Sequence, residues 1–347
     1  MEINRIELRN KLAALRPGLA KREFVQQSCH FIFLKNEIVS FNDKIAIMVP
    51  FESEEEFSVK GEEFFRLIDG MKGETLTLTI EKGKVKLRSQ DTTSTMATIS
   101  EDQNTLPKVI EELKEKMTGY KLLPKDFLEG ISLCSFSTSA DLSRGVLACV
   151  AVDGDSCYSL DSNRSSMYKM KTKMRDSFFI VGREAVELVK FPVTSYCTDG
   201  KWCHFKTKED VTFSCLLMTG EFPIKKMIPV FEKMKELPCI ELPSELKTVV
   251  ENVTVLAADD ITRSGKAVYI SMADNEITVK ASNDLGRVEK KLACDYEGDE
   301  INMIINSNLL SQILSRATSL SKDKDMLHFK AESFQHILMS IPKKEED

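Results

Sequence analysis

No apolar run in this sequence approaches the about 20 residues that a membrane-spanning helix needs. The N-terminal MEINRIELRNK is charged and amphipathic, without a signal peptide's apolar core. Nine cysteines are present but no CxxC pair, and neither Cys149 with Cys157 nor Cys197 with Cys203 has zinc-finger spacing. Cysteines scattered through a chain of this length are expected to be buried thiols. His30, His204, His328 and His336 include no ligand-spaced pair, so no metal site is expected. There is no Gly-rich phosphate loop, no nucleophile elbow and no paired-carboxylate motif. Asp153, Gly154 and Asp155 read as a turn between strands. The expectation is a protein without catalytic residues and without a cofactor. Positive charge is not in excess either: the net charge is −6, which argues against attachment to nucleic acid by bulk electrostatics.

What is present is repetition. Helix-like stretches RIELRNKLAAL (5–15), PKDFLEGISLC (124–134) and PSELKTVVENV (243–253) start 119 residues apart both times. A second helix-like stretch follows each: GEEFFRLIDGM (61–71), GREAVELVKF (182–191) and SNLLSQILSRA (307–317). Each is entered from a short apolar run, FSVK, SFFIV or NMIIN. This period exceeds that of a solenoid repeat and is the size of a small domain. One domain built three times, over 347 residues, points to a ring or symmetric scaffold more than to a single-pocket enzyme. A closed ring is retained on DNA by topology, so it tolerates an acidic overall charge and needs only a weakly basic inner wall.

Between the helices lie strands rich in Val, Ile and Phe and broken by turn residues. These are HFIFLK, EIVSFN, KIAIMVPF and EEFSVK, then VLACVAV, SCYSLDS, SSMYKMKT and DSFFIV, then KAVYISM, EITVKAS, GRVEKKLAC and INMIIN. TLTLTI (75–80) alternates as a half-buried strand should. EKGK (81–84) and TDGK (198–201) carry Gly where tight turns favour it. Each domain reads as two helix-plus-sheet halves, an α+β arrangement with six helices per chain. The segments 101–120, helical after Pro107, and 231–242 read as short linkers.

Five segments resemble the β-type sliding clamp of bacterial DNA polymerase III. STSADLSRGVL (137–147) resembles the family's acidic residue, Arg and aliphatic pair. YSLDSNRSS (158–166) stands at the place of its ATDGHRL motif, with Asp161 and Arg164 kept. TGEFPIKKMIP (219–229) is similar to GxFPxYxxxxP, MIINSNLLSQIL (303–314) to FNxxYLxDxL, and ILMSI (337–341) to the closing xxMPM strand. The resemblance covers nearly the whole chain and rests on the order and spacing of these segments. Departures are Ser340 for the usual Pro, Asn163 for His, Glu62 at an often basic position, and the KKEED tail. They suit a divergent or phage-encoded member.

The resemblance implies clamp domains at 1–121, 122–236 and 237–347, with helices lining the inside of a ring and sheets outside. It implies a non-catalytic homodimer that encircles double-stranded DNA without reading sequence. It also implies a DNA polymerase and a clamp-loader ATPase as partners, no membrane, and a cytoplasmic, nucleoid-associated location (the host cytoplasm if phage-encoded). A pocket for partner peptides would be walled by Leu147, Leu160, Arg164, Pro223, Lys226, Met227, Asn306, Leu309, Leu338, Met339 and Ile341. Leu147, Leu160 and Leu338 equally suit plain strand core, and Arg164 equally suits a local pair with Asp161. For DNA, Arg5, Arg9 and Arg16 fall within about 40° of one another on a helix, with Lys21 and Arg22 in the next loop. Phosphate contacts from such residues need no base reading. Lys169, Lys171, Lys173 and Arg175, spaced by two, are expected on one face of an exposed strand. The alternative to a clamp is a β-rich structural or interaction scaffold that does not bind DNA.

Overall fold

The computed structural model describes residues 1–23, 25–99, 106–260 and 265–341. The start of the first expected linker (101–105) and the KKEED tail lie outside the described residues. The chain forms two compact units. One comprises Met1–Leu128 with Arg183–Met218, the other Glu129–Gly182 with Thr219–Asp347.

The elements follow the expected order closely. The first repeat holds β1 (Glu2–Asn4), α1 (Arg5–Leu15), β2 (His30–Leu34), β3 (Glu37–Phe41), β4 (Ile45–Pro50) and β5 (Phe57–Lys60). It continues with α2 (Gly61–Gly70), β6 (Thr75–Glu81), β7 (Lys84–Arg88), β8 (Thr93–Ala97) and α3 (Leu106–Glu115). Next come β9 (Lys121–Leu122), α4 (Phe127–Ser135), β10 (Cys149–Asp153), β11 (Ser156–Leu160), β12 (Arg164–Lys169) and β13 (Phe178–Val181). Then follow α5 (Gly182–Leu188), β14 (Val193–Thr198), β15 (Trp202–Thr207), β16 (Thr212–Leu216) and α6 (Ile224–Lys235). The last repeat holds β17 (Ile240–Glu241), α7 (Leu246–Val253), β18 (Asp259–Asp260), β19 (Gly265–Ala273), β20 (Glu276–Asn283) and β21 (Gly286–Ala293). It ends with β22 (Ile301–Asn306), α8 (Ser307–Leu314), β23 (Ser319–Asp323), β24 (Met326–Ala331) and β25 (Phe334–Met339).

Local chemistry explains many of these bounds. Asn4 caps α1, its Oδ1 accepting from the Glu7 amide at 2.9 Å. Leu8, Leu12 and Leu15 then form the helix's buried stripe. β6 alternates as expected, with Leu76 and Leu78 buried between exposed threonines. Lys82 and Gly83 both take positive φ, 51° and 72°, in the two-residue turn between β6 and β7. That geometry matches the twist of a hairpin, and glycine adopts it without a Cβ clash.

In the first unit an eight-stranded antiparallel sheet runs β5-β2-β3-β4-β16-β15-β14-β9. It joins distant segments, since Met48 lies opposite Thr212 and Ile47 opposite Phe213. One face receives Leu8, Leu12 and Leu15 of α1 and Phe64 and Ile68 of α2, with Phe33 stacked on Phe57 at 4.4 Å. The other face, through Ile32, Val39, Phe41 and Met48, receives Leu106, Ile110 and Leu113 of α3. Burial on both faces is why β2, β3 and β4 read as continuous apolar runs and not as alternating strands. A four-stranded sheet β1-β6-β7-β8 completes this unit.

The second unit repeats the plan. Its eight-stranded sheet runs β13-β10-β11-β12-β25-β24-β23-β17. Met227, Phe231 and Met234 of α6 pack on one face, against Tyr158, Met167 and Ile337. On the other, Leu320, Phe329 and Leu338 join a core with α7, α8, β19, β20 and β22. A smaller sheet orders β22-β19-β20-β21, with β18 also on β19.

Two sequence expectations need correction. The segment 231–242 is not simply a linker: residues 231–235 complete α6, and Phe231 and Met234 anchor it in the core. With the six repeat helices and α3, the helix expected after Pro107, α6 brings the described residues to eight α-helices. Of the stripe Lys169, Lys171, Lys173 and Arg175 only Lys169 lies on a strand, because β12 ends there. Met170 and Met174 are buried, and their amides donate to Asp155 O and Gly154 O at 2.7 and 2.8 Å. The intervening segment therefore wraps the β10–β11 turn as a loop.

The α+β class stands. Because each large sheet crosses a repeat boundary, compactness groups the chain differently from the internal repeat. The division at 121 and 236 remains a proposal drawn from that repeat.

Candidate functional site

The eleven expected pocket residues all belong to the second unit, and the sheet sorts them. Arg164 on β12 lies opposite Leu338 on β25, and Leu160 on β11 lies opposite Ser165, itself opposite Ile337. Residues facing one another across strands share a face of the sheet, and successive residues alternate. Leu160 therefore falls on the α6 face with Ile337, and its side chain packs against the cluster containing Met227. By the same alternation Met339 belongs to that face, 42% exposed at the strand's end. Leu338 and Leu309 belong to the opposite cluster, where Leu338 is fully buried core and Leu309 half-buried. The sheet thus brings Leu160 and Met227 together on one side and Leu309 and Leu338 on the other.

The remaining members have local duties. Asn306 caps α8, its Oδ1 accepting from the Asn308 and Leu309 amides at 3.0 and 3.2 Å. Pro223 opens α6, and its carbonyl accepts from the Lys226 and Met227 amides. Lys226 is exposed and Leu147 is half-buried in the 3-10 stretch before β10. Ile341 donates its amide to Ile304 O at 2.7 Å, and Met339 donates to Asn163 O at 2.8 Å. The first bond ties residues 339–341 to β22, and the second ties them to the turn between β11 and β12 that carries Asp161.

Arg164 organises the polar side of this region. Its Nε donates to Asp161 Oδ2 at 2.9 Å and its Nη1 to Gln312 Oε1 at 3.1 Å. Its guanidinium carbon stands 5.3 Å from the centre of the Phe136 ring. The local pair with Asp161 thus forms, and the side chain still borders the α8 surface. Sequence reasoning did not select Phe136 or Arg316. Phe136 immediately precedes the 137–147 motif, and Arg316 stands one helical turn beyond Gln312. The Arg316 guanidinium carbon lies 4.6 Å from the same ring centre. Burial, then the neighbouring Arg164, lowers its pKa below the usual arginine value. His336 stacks on the same Phe136 ring, with centres 5.1 Å apart. Complete burial, then the two arginines, holds His336 neutral, and its Nδ1 shares a hydrogen with Ser166 Oγ at 2.8 Å.

The five expected DNA-contacting residues lie in the first unit, where they split into two groups. Arg5 donates to Gly73 O and Ile68 O at 2.7 and 3.2 Å. Arg9 pairs with Asp69 at 2.8 Å. Arg16 makes a two-bond pair with Glu62, both contacts at 3.0 Å, with its guanidinium 4.6 Å from the Phe65 ring centre. The α1 arginines are therefore engaged by α2 and the turn after it. Lys21 and Arg22 are exposed in the loop after α1, and among the described residues no carboxylate pairs with either.

Among the described residues no His, Cys, Asp and Glu group could hold a metal ion, and no helix is long and apolar enough to cross a membrane. Asp153, Gly154 and Asp155 form the hairpin turn between β10 and β11, with Gly154 at φ 58°.

No protein-family model matches the chain, and no curated protein matches it by sequence. Solved structures do match by fold. A sliding clamp (DNA polymerase III subunit beta) from Bartonella birtlesii, bound to griselimycin, superposes with a TM-score of 0.82 at 13% identity, covering 99% of each chain. The DNA polymerase III beta chain of Streptococcus pneumoniae gives 0.80 at 13% identity, again over 99% of each. The beta subunit from Borrelia burgdorferi, in complex with a natural product, gives 0.80 at 16% identity over 98% of each. The fold is that of the DNA polymerase III beta sliding clamps.

Proposed function

We propose that this chain is a DNA sliding clamp: a non-catalytic homodimeric ring that encircles duplex DNA in the cytoplasm and tethers a replicative polymerase. The observation that carries the proposal is a fold correspondence running the length of the chain. A tethered polymerase that lets go is recaptured before it diffuses away, because linkage raises its effective concentration. A loader ATPase opens the ring.

Each unit offers a feature that supports a closed head-to-tail dimer. In the first, β8 ends its sheet beside the exposed Lys82, Lys84, Lys86 and Arg88. In the second, β21 ends its sheet and is followed by the exposed Asp295, Glu297, Asp299 and Glu300. A free sheet edge exposes unpaired backbone groups and invites a strand from another chain. β21 itself carries exposed Arg287, Lys290 and Lys291 with Glu289, so the charge complementarity that favours the contact lies between the basic β7 strand of one copy and the acidic loop after β21 of the other. Two such contacts close a ring with twofold symmetry.

Retention on DNA should then be topological and survive salt that strips ordinary phosphate binders. Protein loaded on a nicked circle should co-elute with it at high salt and be released when the circle is cut. Release that is indifferent to cutting would refute the clamp and favour a scaffold without DNA binding.

A further inference from the structure

We propose that Glu23 is a positioning residue: by tying its loop to itself and to the sheet edge, it holds Lys21 and Arg22 as a fixed pair of cations for phosphates of the DNA backbone. This rests on the clamp reading above and adds to it how the pair is presented.

The two cations stand between two anchors. On one side is Ala20, whose amide donates to Ser28 O at 2.8 Å and whose carbonyl accepts from Cys29 Sγ at 3.1 Å. On the other is Glu23. Its Oε1 accepts from the Gln27 amide at 2.6 Å, and its Oε2 accepts from Lys60 Nζ at 3.1 Å. Lys60 ends β5, the edge strand of the large sheet, and lies opposite His30, the first residue of β2. The same Oε1 is 3.7 Å from His30 Nδ1. One carboxylate thus joins the loop to both strands. Burial raises the Glu23 pKa, but the Gln27 amide and Lys60 outweigh it and hold the carboxyl below its usual value.

The loop's shape needs this support. Gln27 is fully buried with φ 64°, a left-handed conformation that a non-glycine residue adopts at a cost. Its Oε1 has no hydrogen-bond partner among the described residues, a further cost for a buried polar atom. The charge-assisted bond from the Gln27 amide to Glu23 opposes both. Lys21 and Arg22 are exposed, and the loop backbone sets where they stand. Ordering long side chains at the moment of binding weakens affinity, whereas prior ordering spares that cost. Placement therefore acts on affinity at every salt concentration, while the number of phosphates neutralised sets the salt slope. A carboxylate acting through its charge alone would do the opposite and weaken DNA binding by repulsion.

The test is fluorescence anisotropy of a labelled duplex with the full chain, across a salt series. Glu23→Met with Lys60→Met removes one charge of each sign, so net charge is unchanged. Affinity should fall about tenfold at each salt concentration with the slope kept, the order expected when two long side chains must be ordered on binding. Glu23→Gln with Lys60→Gln retains an acceptor for the Gln27 amide and should lose less; if the methionine variant fails to fold, the glutamine variant decides. In a background of Lys21→Ala with Arg22→Ala, neither pair of changes should weaken binding further. Unchanged affinity in the folded variants, or a loss that persists in the alanine background, overturns the proposal. So does a lower slope in either variant, which would make Lys60 a phosphate contact in its own right. If Lys21→Ala with Arg22→Ala leaves binding unaltered, the loop is no contact and the positioning role is refuted, while retention on circular DNA still decides the clamp. If circle retention fails but the loss and its dependence on Lys21 and Arg22 hold, the positioning role stands and the clamp does not.

Discussion

The division of the expected DNA-contacting cations gives a quantitative prediction. Arg9 and Arg16 are neutralised in place by Asp69 and Glu62, and Arg5 is spent on two backbone carbonyls. Lys21 and Arg22 are exposed and face no carboxylate among the described residues. Each phosphate neutralised by a protein cation adds about 0.9 to the slope of log affinity against log salt for duplex DNA. Replacing Lys21 and Arg22 by Ala should therefore lower that slope by about 1.8. Between 50 and 200 mM salt this corresponds to roughly a twelvefold smaller loss of affinity. Replacing Arg9 and Arg16 by Ala should change the slope little, because their charge is already balanced. Glu62→Gln with Asp69→Asn should raise it by up to about 1.8, since both guanidiniums are released. The assay is fluorescence anisotropy of a labelled duplex across a salt series, with dimer mass checked for every variant. A large fall in slope for the Arg9 and Arg16 double variant, or none for the Lys21 and Arg22 variant, would refute the reasoning.

Four further outcomes are expected. Met339→Ala should weaken a partner-peptide titration by about 1 kcal/mol with little change in stability, since the side chain is exposed. Met227→Ala should instead cost about 2–4 kcal/mol of stability measured by urea unfolding, because Met227 is core. Light scattering should give twice the chain mass, and reversing Lys84, Lys86 and Arg88 to Glu should shift it toward the monomer; an unaltered dimer would separate those residues from the contact. Burial pushes the pKa of His204 and of His328 down to about 4. From about pH 6.5 down to 4 the unfolded chain takes up protons that the folded one refuses, so stability falls as pH falls through that window. The loss is on the order of 3 kcal/mol per histidine. A urea midpoint that stays flat between pH 7 and pH 4 would contradict it.

Much of the secondary structure was legible because its causes are local. The alternation of TLTLTI, the Lys82–Gly83 turn and the leucine stripe of α1 depend on residues within a few positions of one another. The threefold repeat was legible for the same reason, since a duplicated domain repeats its local patterns. The α6 helix was not legible, because its anchors Phe231 and Met234 fall in what reads as a linker until a sheet face is there to receive them. The lysine-rich segment after β12 has a strand's spacing, yet two buried methionines and two backbone bonds to the β10–β11 turn bend it into a loop.

The candidate sites divide in the same way. Sequence alone pointed to Arg164, Met339, Lys21 and Arg22, through their resemblance to the positions of a known family. Only the tertiary structure decided which cations are free. Glu62 and Asp69 reach α1 from a separate helix, and Phe136 on one segment and Gln312 and Arg316 on another converge on Arg164. Periodicity reports which face of an element is apolar. It does not report which distant face will cover it, and the pairing of charges and rings is settled only when those faces meet.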